Sequence, residues 1–139
     1  MNDSKSQSPS GVLVNIKSFE NSGDLQIVNG YGDNAFRISG ERYVGPVIIL
    51  PRFTISWKPP VNANELEINH ILSYLGDVPP PLFVLGVGEA PKKPLDDLFV
   101  GLKAEGISLE LMSTAAASRT WNVLMSEGRD AATGLYPIS

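Results

Sequence analysis

The pattern of apolar residues changes character near the middle of the chain. Before Pro59, short apolar segments are separated by turn residues, which predicts antiparallel hairpins. After Asn64, segments with a helical period alternate with continuous apolar runs, which predicts helices alternating with strands. Strands joined by helices of this length favour a partly parallel sheet. The pattern therefore predicts an α/β fold, a three-layer single domain with a mixed central sheet and an N-terminal antiparallel β-meander.

The front half contains short apolar segments that we predict as strands. They span Val12–Phe19, Leu25–Val28, residues 35–39, residues 42–50 and Phe53–Trp57. Residues 29–34 are rich in turn formers, and Gly40 marks a hairpin. Pro46 cannot donate to a ladder, so it indicates an edge, a bulge or a bend. Residues 1–10 carry almost nothing to bury and are expected to be a disordered tail, which leaves 11–139 as the domain.

The second half predicts three helices and three strands. The strands are Leu82–Val87, Ile107–Met112 and a segment within Ala131–Ile138. Asn64 begins a capping box for a helix of about three turns, which Gly76 ends. Pro94 is expected as the first residue of the second helix, with acids in its first turn and Gly106 after its end.

The most informative segment runs from Ile107 to Gly128. A short apolar strand leads into Ser113 and Thr114, which open an alanine-rich helix. In open α/β sheets, ligands favour the crevice beyond the carboxyl ends of the strands. The preceding strand ends in the turn 86–89, so the two segments face one crevice if their strands are neighbours.

The start of this last helix favours an anion. Its first turn contains no Asp or Glu, so backbone N–H groups and the positive end of the helix dipole are available, and Arg119 lies one turn further on. The candidate ligand-binding residues are Gly86, Gly88, Glu89, Ser113, Thr114, Arg119 and Asn122. The alternative is a capped helix with a solvated arginine, next to glycines that only allow close backbone packing, and both are common.

The sequence offers little for catalysis or metal binding. Histidine occurs once, at His70, and cysteine is absent, so neither a zinc cluster nor a thiolate nucleophile is predicted. Ser113 and His70 could pair only through tertiary contact, and no G-x-S-x-G motif surrounds the serine. We therefore expect no catalytic residue, no metal and no cofactor, and favour a protein that is not an enzyme.

Composition and charge argue against other classes. The chain has 139 residues, is 42% hydrophobic and carries a net charge of −4, which argues against a nucleic-acid binder. The N-terminal segment resembles neither a secretory signal nor a transit peptide, and no apolar run approaches the roughly 18 residues of a membrane span. We expect a cytoplasmic protein without direct membrane insertion, either a monomer or a weak homodimer.

Three segments carry a resemblance to a known family. They read YGDNAFRISGERYVGPVIILP, then LFVLGVGEAP, then GISLELMSTAAASRTWNVLMSEGRDAATGLYP, with a tryptophan after the first. The most specific pattern within them is M-S-T-x-x-A-x-R-T-W/Y-N-x-L-x-x-E-G-R. By these motifs the chain resembles the Mth938-like domain family of unknown function, which includes relatives of the mitochondrial complex I assembly factor 3. The resemblance covers about Gly30 to Pro137.

The resemblance implies a fold and a class of function. The implied fold is a three-layer α/β domain with a mixed five-stranded sheet. The mitochondrial relatives help to assemble a membrane complex through protein contacts, which implies a protein partner. Val87 stands where the family usually has a threonine, which weakens any role for a hydroxyl there. We expect a non-enzymatic binding or assembly-factor-like module, with a small anion as candidate ligand at the crevice; the alternative is a small-molecule enzyme or a metabolite-binding protein using the same crevice.

Overall fold

The computed structural model describes residues 24–139, which form two sheets and several helices. The strands are β1 Val28–Gly32, β2 Ala35–Ile38, β3 Glu41–Val44, β4 Val47–Leu50, β5 Phe53–Ser56, β6 Leu82–Val87, β7 Ser108–Met112 and β8 Ala132–Tyr136. The helices are the 3-10 helix Ala63–Glu65, α1 Asn69–Leu72, α2 Asp96–Ala104 and α3 Thr114–Ser126. The predictions for residues 1–10 and Val12–Phe19 lie outside the described residues.

The larger sheet has five strands in the order β5-β4-β8-β6-β7, and the smaller sheet has the order β1-β2-β3. β6 pairs in parallel with β7 on one side and with β8 on the other. β4 pairs antiparallel with both β8 and β5. The carboxyl ends of β6, β7 and β8 therefore lie at one edge. This mixed sheet, with its antiparallel meander, confirms the predicted fold class.

Apolar side chains cover both faces of the larger sheet. Phe83 packs on one face with Leu102 of α2. Its neighbour Val84 packs on the other face with Trp121 of α3 and Phe36 of the smaller sheet. Successive strand residues point to opposite faces, so α2 lies on one side of the sheet, while α3 and the meander lie on the other.

The first strand differs from its prediction. Instead of ending near Val28, β1 runs from Val28 to Gly32, through most of the segment predicted as a turn. The turn is confined to Asp33 and Asn34, whose φ angles of 53° and 63° form a tight connection to β2. Ladder pairing with β2 thus outweighs the weak strand propensity of the glycines.

The arm predicted over residues 42–50 is two strands in different sheets. β3 ends at Val44 and pairs with β2 across the turn at Gly40, which confirms the predicted hairpin. β4 begins at Val47 and belongs to the larger sheet. Gly45 between them has a φ of 87°, so the chain bends before Pro46, one of the three options left open by the sequence.

The first predicted helix was wrong in length. Asn62, and not Asn64, caps a 3-10 turn by accepting the Asn64 N–H at 2.9 Å. Leu66 then leaves the helical conformation with a ψ of 137° and is buried in the core. Its burial outweighs the helix propensity of the segment, so only the short α1 follows. Gly76 ends the segment at a φ of 78°, as predicted.

The second helix begins later than predicted. Pro94 is not its first residue, because Leu95 adopts a left-handed backbone with φ 56° and ψ 50° and the helix starts at Asp96. This conformation costs a bulky residue about 1–2 kcal/mol. The apolar residues of this helix are only partly covered, since Leu98 is buried but Phe99 is exposed.

Candidate functional site

The strand-to-helix corner is closed by hydrogen bonds. The Thr114 N–H donates to the Gly88 carbonyl at 2.7 Å, and the Gly88 N–H donates to the Thr114 hydroxyl at 2.9 Å. The same hydroxyl donates to the Tyr136 carbonyl at 2.6 Å. Thr114 is completely buried. One side chain therefore ties together the carboxyl ends of the three parallel strands.

Gly86 allows α3 to pack closely on the sheet. A Cβ added at Gly86 would lie 2.9 Å from the Thr114 Cα and 3.0 Å from the Ala117 Cβ. Gly88 follows with a φ of 88°, a conformation that favours glycine. These contacts support the packing alternative for Gly86, whereas at Gly88 an added Cβ would meet no atom within 4 Å and the backbone conformation alone favours glycine. Ligand binding by both glycines stays a prediction.

Asn122 holds the chain as it enters β1. Its Nδ2 donates to the Val28 carbonyl and its Oδ1 accepts the Val28 N–H, both at 2.9 Å. The adjacent Trp121 indole N–H donates to the Gln26 carbonyl at 2.7 Å. Helical periodicity could not reveal these bonds, because Asn122 and Val28 are 94 positions apart.

The other candidates differ in their surroundings. Ser113 caps α3, its hydroxyl accepting the Ala116 N–H at 3.1 Å. Glu89 and Arg119 are exposed, and neither side chain forms a hydrogen bond or an ion pair with another described residue. The structure thus brings Gly86, Gly88, Ser113 and Thr114 together and leaves Glu89 and Arg119 at the surface.

Open space lies on the α2 side of the same edge. A cavity of about 320 Å³ is bounded by Val87 and Leu111 at the ends of β6 and β7. The loop after β6 leads to α2 on one face, whereas β7 leads to α3 on the other, which makes this a topological switch point. Lys92, Lys93 and Asn62 supply polar lining. Sequence reasoning missed the cavity because part of its lining, residues 61–64, comes from a segment distant in sequence from the ends of β6 and β7.

A wider groove adjoins this cavity. It has a volume of about 840 Å³ and lies between residues 64–68 and residues 93–98. The buried Leu66 and Leu98 and the strained Leu95 line it. Acidic side chains predominate around it, with Lys93 as the basic member: Glu65, Glu67, Asp96 and Asp97. The groove therefore combines apolar lining with a negative rim.

Helix α2 presents apolar side chains beside this groove. Phe99 is 43% exposed and Val100 is 64% exposed. On a helix, residues three and four positions apart are neighbours, so Phe99 and Val100 lie next to Asp96 and Asp97, which line the groove. The groove and the exposed side of α2 thus form one continuous surface, which we call the α2 surface.

Two tyrosines near the larger sheet have perturbed acidities. Burial raises the pKa of Tyr136, whose hydroxyl donates to the Pro60 carbonyl at 2.7 Å. Its ring lies edge-on to Trp57, with centroids 5.5 Å apart. Burial also raises the pKa of Tyr43, with a further contribution from the charge of Glu41. Both phenols therefore stay protonated at neutral pH.

Two further features concern ions and membranes. Residues 24–139 contain no group of three or more His, Cys, Asp or Glu side chains placed to hold a metal ion. Within the same residues, every helix is too short or too polar to cross a membrane.

The protein is a small α/β domain, with a mixed sheet between layers and with α3 hydrogen-bonded to the start of β1. A family model described as protein of unknown function (DUF498/DUF598) matches residues 28–136. The chain belongs to this family, which confirms the resemblance seen in its motifs.

Three matches illustrate what the chain is similar to. The NADH dehydrogenase (ubiquinone) 1 alpha subcomplex assembly factor 3 of Xenopus tropicalis is 27% identical over 120 residues, covering 84% of this chain and 63% of that protein. An uncharacterized protein of Rhodobacter capsulatus is 34% identical over 111 residues, covering 80% of this chain and 84% of its own length. The solution structure of a Mth938-like domain from Bordetella pertussis aligns with a TM-score of 0.68 at 25% identity, covering 84% of this chain and 88% of that one.

The family thus includes complex I assembly factors. The chain spans less than two thirds of the length of the first assembly factor, since the match covers 63% of it.

Proposed function

We propose that this protein is a non-enzymatic, assembly-factor-like module that acts by binding another protein through its α2 surface. The assembly factors among its relatives support a role in protein contacts. The observation that carries the proposal is the pair of large apolar side chains, Phe99 and Val100, exposed beside the groove. Contiguous apolar surface rimmed by polar residues marks interaction sites, whereas scattered single residues do not.

Helix α2 is attached to the protein by a narrow face. Leu98 and Leu102 are the buried residues among its nine. The strained Leu95 precedes the helix and lines the groove. Backbone strain of this kind persists where the surroundings enforce it, and it clusters at functional sites. These features favour α2 as the surface that a partner covers.

The charge of the groove suggests the chemistry of the partner. Glu65, Glu67, Asp96 and Asp97 outnumber Lys93 around it, and the whole chain carries a net charge of −4. A partner segment with Lys or Arg next to apolar residues complements this rim. Because salt screens exposed charges, the affinity should fall as ionic strength rises.

Affinity capture from cells that express the protein tests this proposal. The wild-type chain should recover a partner, and the double variant Phe99→Ser, Val100→Ser should lose it. The matched control is Val123→Ser, because Val123 is 53% exposed on α3, across the sheet from α2. Circular dichroism should show that both variants keep the wild-type fold, since the buried Leu98 and Leu102 that attach α2 are unchanged. No partner above background, or equal recovery by the double variant, would contradict the proposal.

A second candidate function is the binding of a small anionic ligand, by a metabolite-binding protein or an enzyme, at the same edge of the sheet. The cavity of about 320 Å³ with Lys92 and Lys93 supports it. A volume of this size is at the lower end of small-molecule pockets, roughly 300–1,000 Å³. Arg119, near the start of α3, is the competing location.

Thermal shift measurements with sulfate and small carboxylates separate these locations. A bound anion should raise the melting temperature by mass action. Lys92→Ala with Lys93→Ala should reduce the rise if the cavity binds the anion, whereas Arg119→Ala should reduce it if the corner does. A rise that neither set of substitutions reduces, or no rise at all, would rule out this candidate function.

A further inference from the structure

The outer face of the smaller sheet carries one unusual row of residues. Antiparallel register places Gly30 of β1 beside Arg37 of β2, and Arg37 beside Arg42 of β3. Phe36 and Ile38, the neighbours of Arg37 along its strand, are buried against the core. Because side chains alternate between faces, the row lies on the face turned away from α3.

The two arginines are a like-charge pair that no acid among residues 24–139 compensates. Directly opposed residues in an antiparallel ladder have Cβ atoms about 5 Å apart, and like charges there are destabilising. Both side chains are exposed, and neither forms an ion pair with an acid among residues 24–139. Arg37 donates through Nη1 to the Gly40 carbonyl at 3.1 Å. A guanidinium has five N–H donors, so most donors of the pair have no acceptor within the part of the chain that the structure describes.

Like the arginine pair, the glycine at position 30 has no evident role in the fold. Its φ is not in the left-handed region, and an added Cβ would meet no atom within 4 Å. A glycine inside a strand weakens it and often marks a place where a ligand approaches the backbone. The register of β1 also shifts between Val28 and Gly30, as in a β-bulge. Bulges are frequent beside functional sites.

These residues border a hollow of about 250 Å³, together with Asn29 and Gly32. Its size suits one oxyanion group better than a drug-sized molecule. Paired guanidinium groups bind phosphate oxygens with charge-assisted hydrogen bonds. We propose that the row Gly30–Arg37–Arg42 is a binding site for the phosphate group of a small metabolite. The anion neutralises the arginine pair and lies against the backbone that Gly30 leaves bare.

Titration with inorganic phosphate at constant ionic strength, followed by amide NMR shifts, tests this site. Wild-type protein should show saturable shifts around Arg37 and Arg42. Arg37→Gln and Arg42→Gln should each weaken binding by about tenfold or more, since each removes a charge-assisted bond. Arg129→Gln is the matched control, because Arg129 is an exposed arginine outside the row. Undiminished affinity in Arg42→Gln, or an equal loss in Arg129→Gln, would overturn the proposal.

The substitution Gly30→Ala distinguishes an effect on phosphate binding from an effect on stability. The added methyl has free space, so the melting temperature should stay equal or rise, while phosphate affinity should fall. Undiminished phosphate affinity would overturn the role of the bare backbone.

Acetate at the same ionic strength should bind more weakly than phosphate, and an equal response would overturn the assignment to a phosphate group. The site is independent of the α2 surface, and Lys92→Ala, Lys93→Ala or Arg119→Ala should leave it intact.

Discussion

At the scale of single residues, the hydroxyl of Thr114 makes hydrogen bonds that stabilise the fold. Its hydroxyl accepts the Gly88 N–H and donates to the Tyr136 carbonyl, and the side chain is buried. A hydroxyl at a strand-to-helix corner is a reasonable candidate for ligand binding until its partners are known. Here its bonds join β6, α3 and β8.

Replacing this hydroxyl should therefore damage stability. Thr114→Val keeps the shape but leaves the Gly88 N–H and the Tyr136 carbonyl without this partner, at a cost of about 1–3 kcal/mol for each group that stays buried and unpaired. Thr114→Ser keeps the hydroxyl and should lose only about 1 kcal/mol for its methyl group. Urea unfolding of both variants measures the difference, and equal stabilities would refute the role of the hydroxyl.

The raised pKa of Tyr136 predicts that the free energy of unfolding falls at alkaline pH. Because burial raises its pKa in the folded state, the folded protein holds the phenolic proton more tightly than the unfolded chain. This contribution is complete below the unfolded pKa, about 10, and is lost as the pH rises above it. Tyr136→Phe should lower stability at neutral pH by about 1 kcal/mol through the lost bond to Pro60, and should flatten the decline above about pH 10. Chemical unfolding at several pH values measures this, with the exposed Tyr31→Phe as control; an unchanged decline in Tyr136→Phe would contradict it.

At the scale of elements, α3 attaches the front of the chain to the larger sheet. Trp121 and Asn122 bind the backbone of Gln26 and Val28 just before and at the start of β1. In this way one helix fixes both the corner at its own beginning and the entry to the meander.

Asn122→Ala should release this attachment locally. Removing two hydrogen bonds to Val28 should lower the free energy of unfolding by about 1–3 kcal/mol. Hydrogen exchange of β1 amides should accelerate more than that of β6, because local opening no longer breaks these bonds. Ser126→Ala on the exposed side of α3 is the control. Equal acceleration in both strands would indicate general destabilisation and not a local attachment.

The elements also show what a sequence can predict. A continuous apolar run correctly predicted β6, the apolar segment that begins at Ile107 correctly predicted β7, and Ser113 with Thr114 correctly marked the start of α3. The predicted length of the first helix was wrong because burial of Leu66 in the core outweighed local helix propensity. The predicted bounds of β1 were wrong because ladder pairing with β2 outweighed the local turn propensity. The row at Arg37 could not be foreseen, since it depends on the register that two tight turns set between three strands.

At the scale of the whole molecule, the two faces of the larger sheet have different tasks in this account. One face is covered by α3 and the meander, which share a core through Trp121 and Phe36. The other is covered by α2, which leaves Phe99 and Val100 exposed next to an acidic groove. We infer that the first face maintains the fold and that the second binds the partner.

Site-specific photo-crosslinking in living cells tests this division most directly. A benzophenone amino acid placed at Phe99 should crosslink to a partner protein, because the side chain lies on the α2 surface. The same group at Val123 on α3, which is also exposed, should give no such product. A crosslinked partner from position 99 alone is the predicted result. Crosslinks from position 123 alone, or equal crosslinks from both positions, would contradict the account.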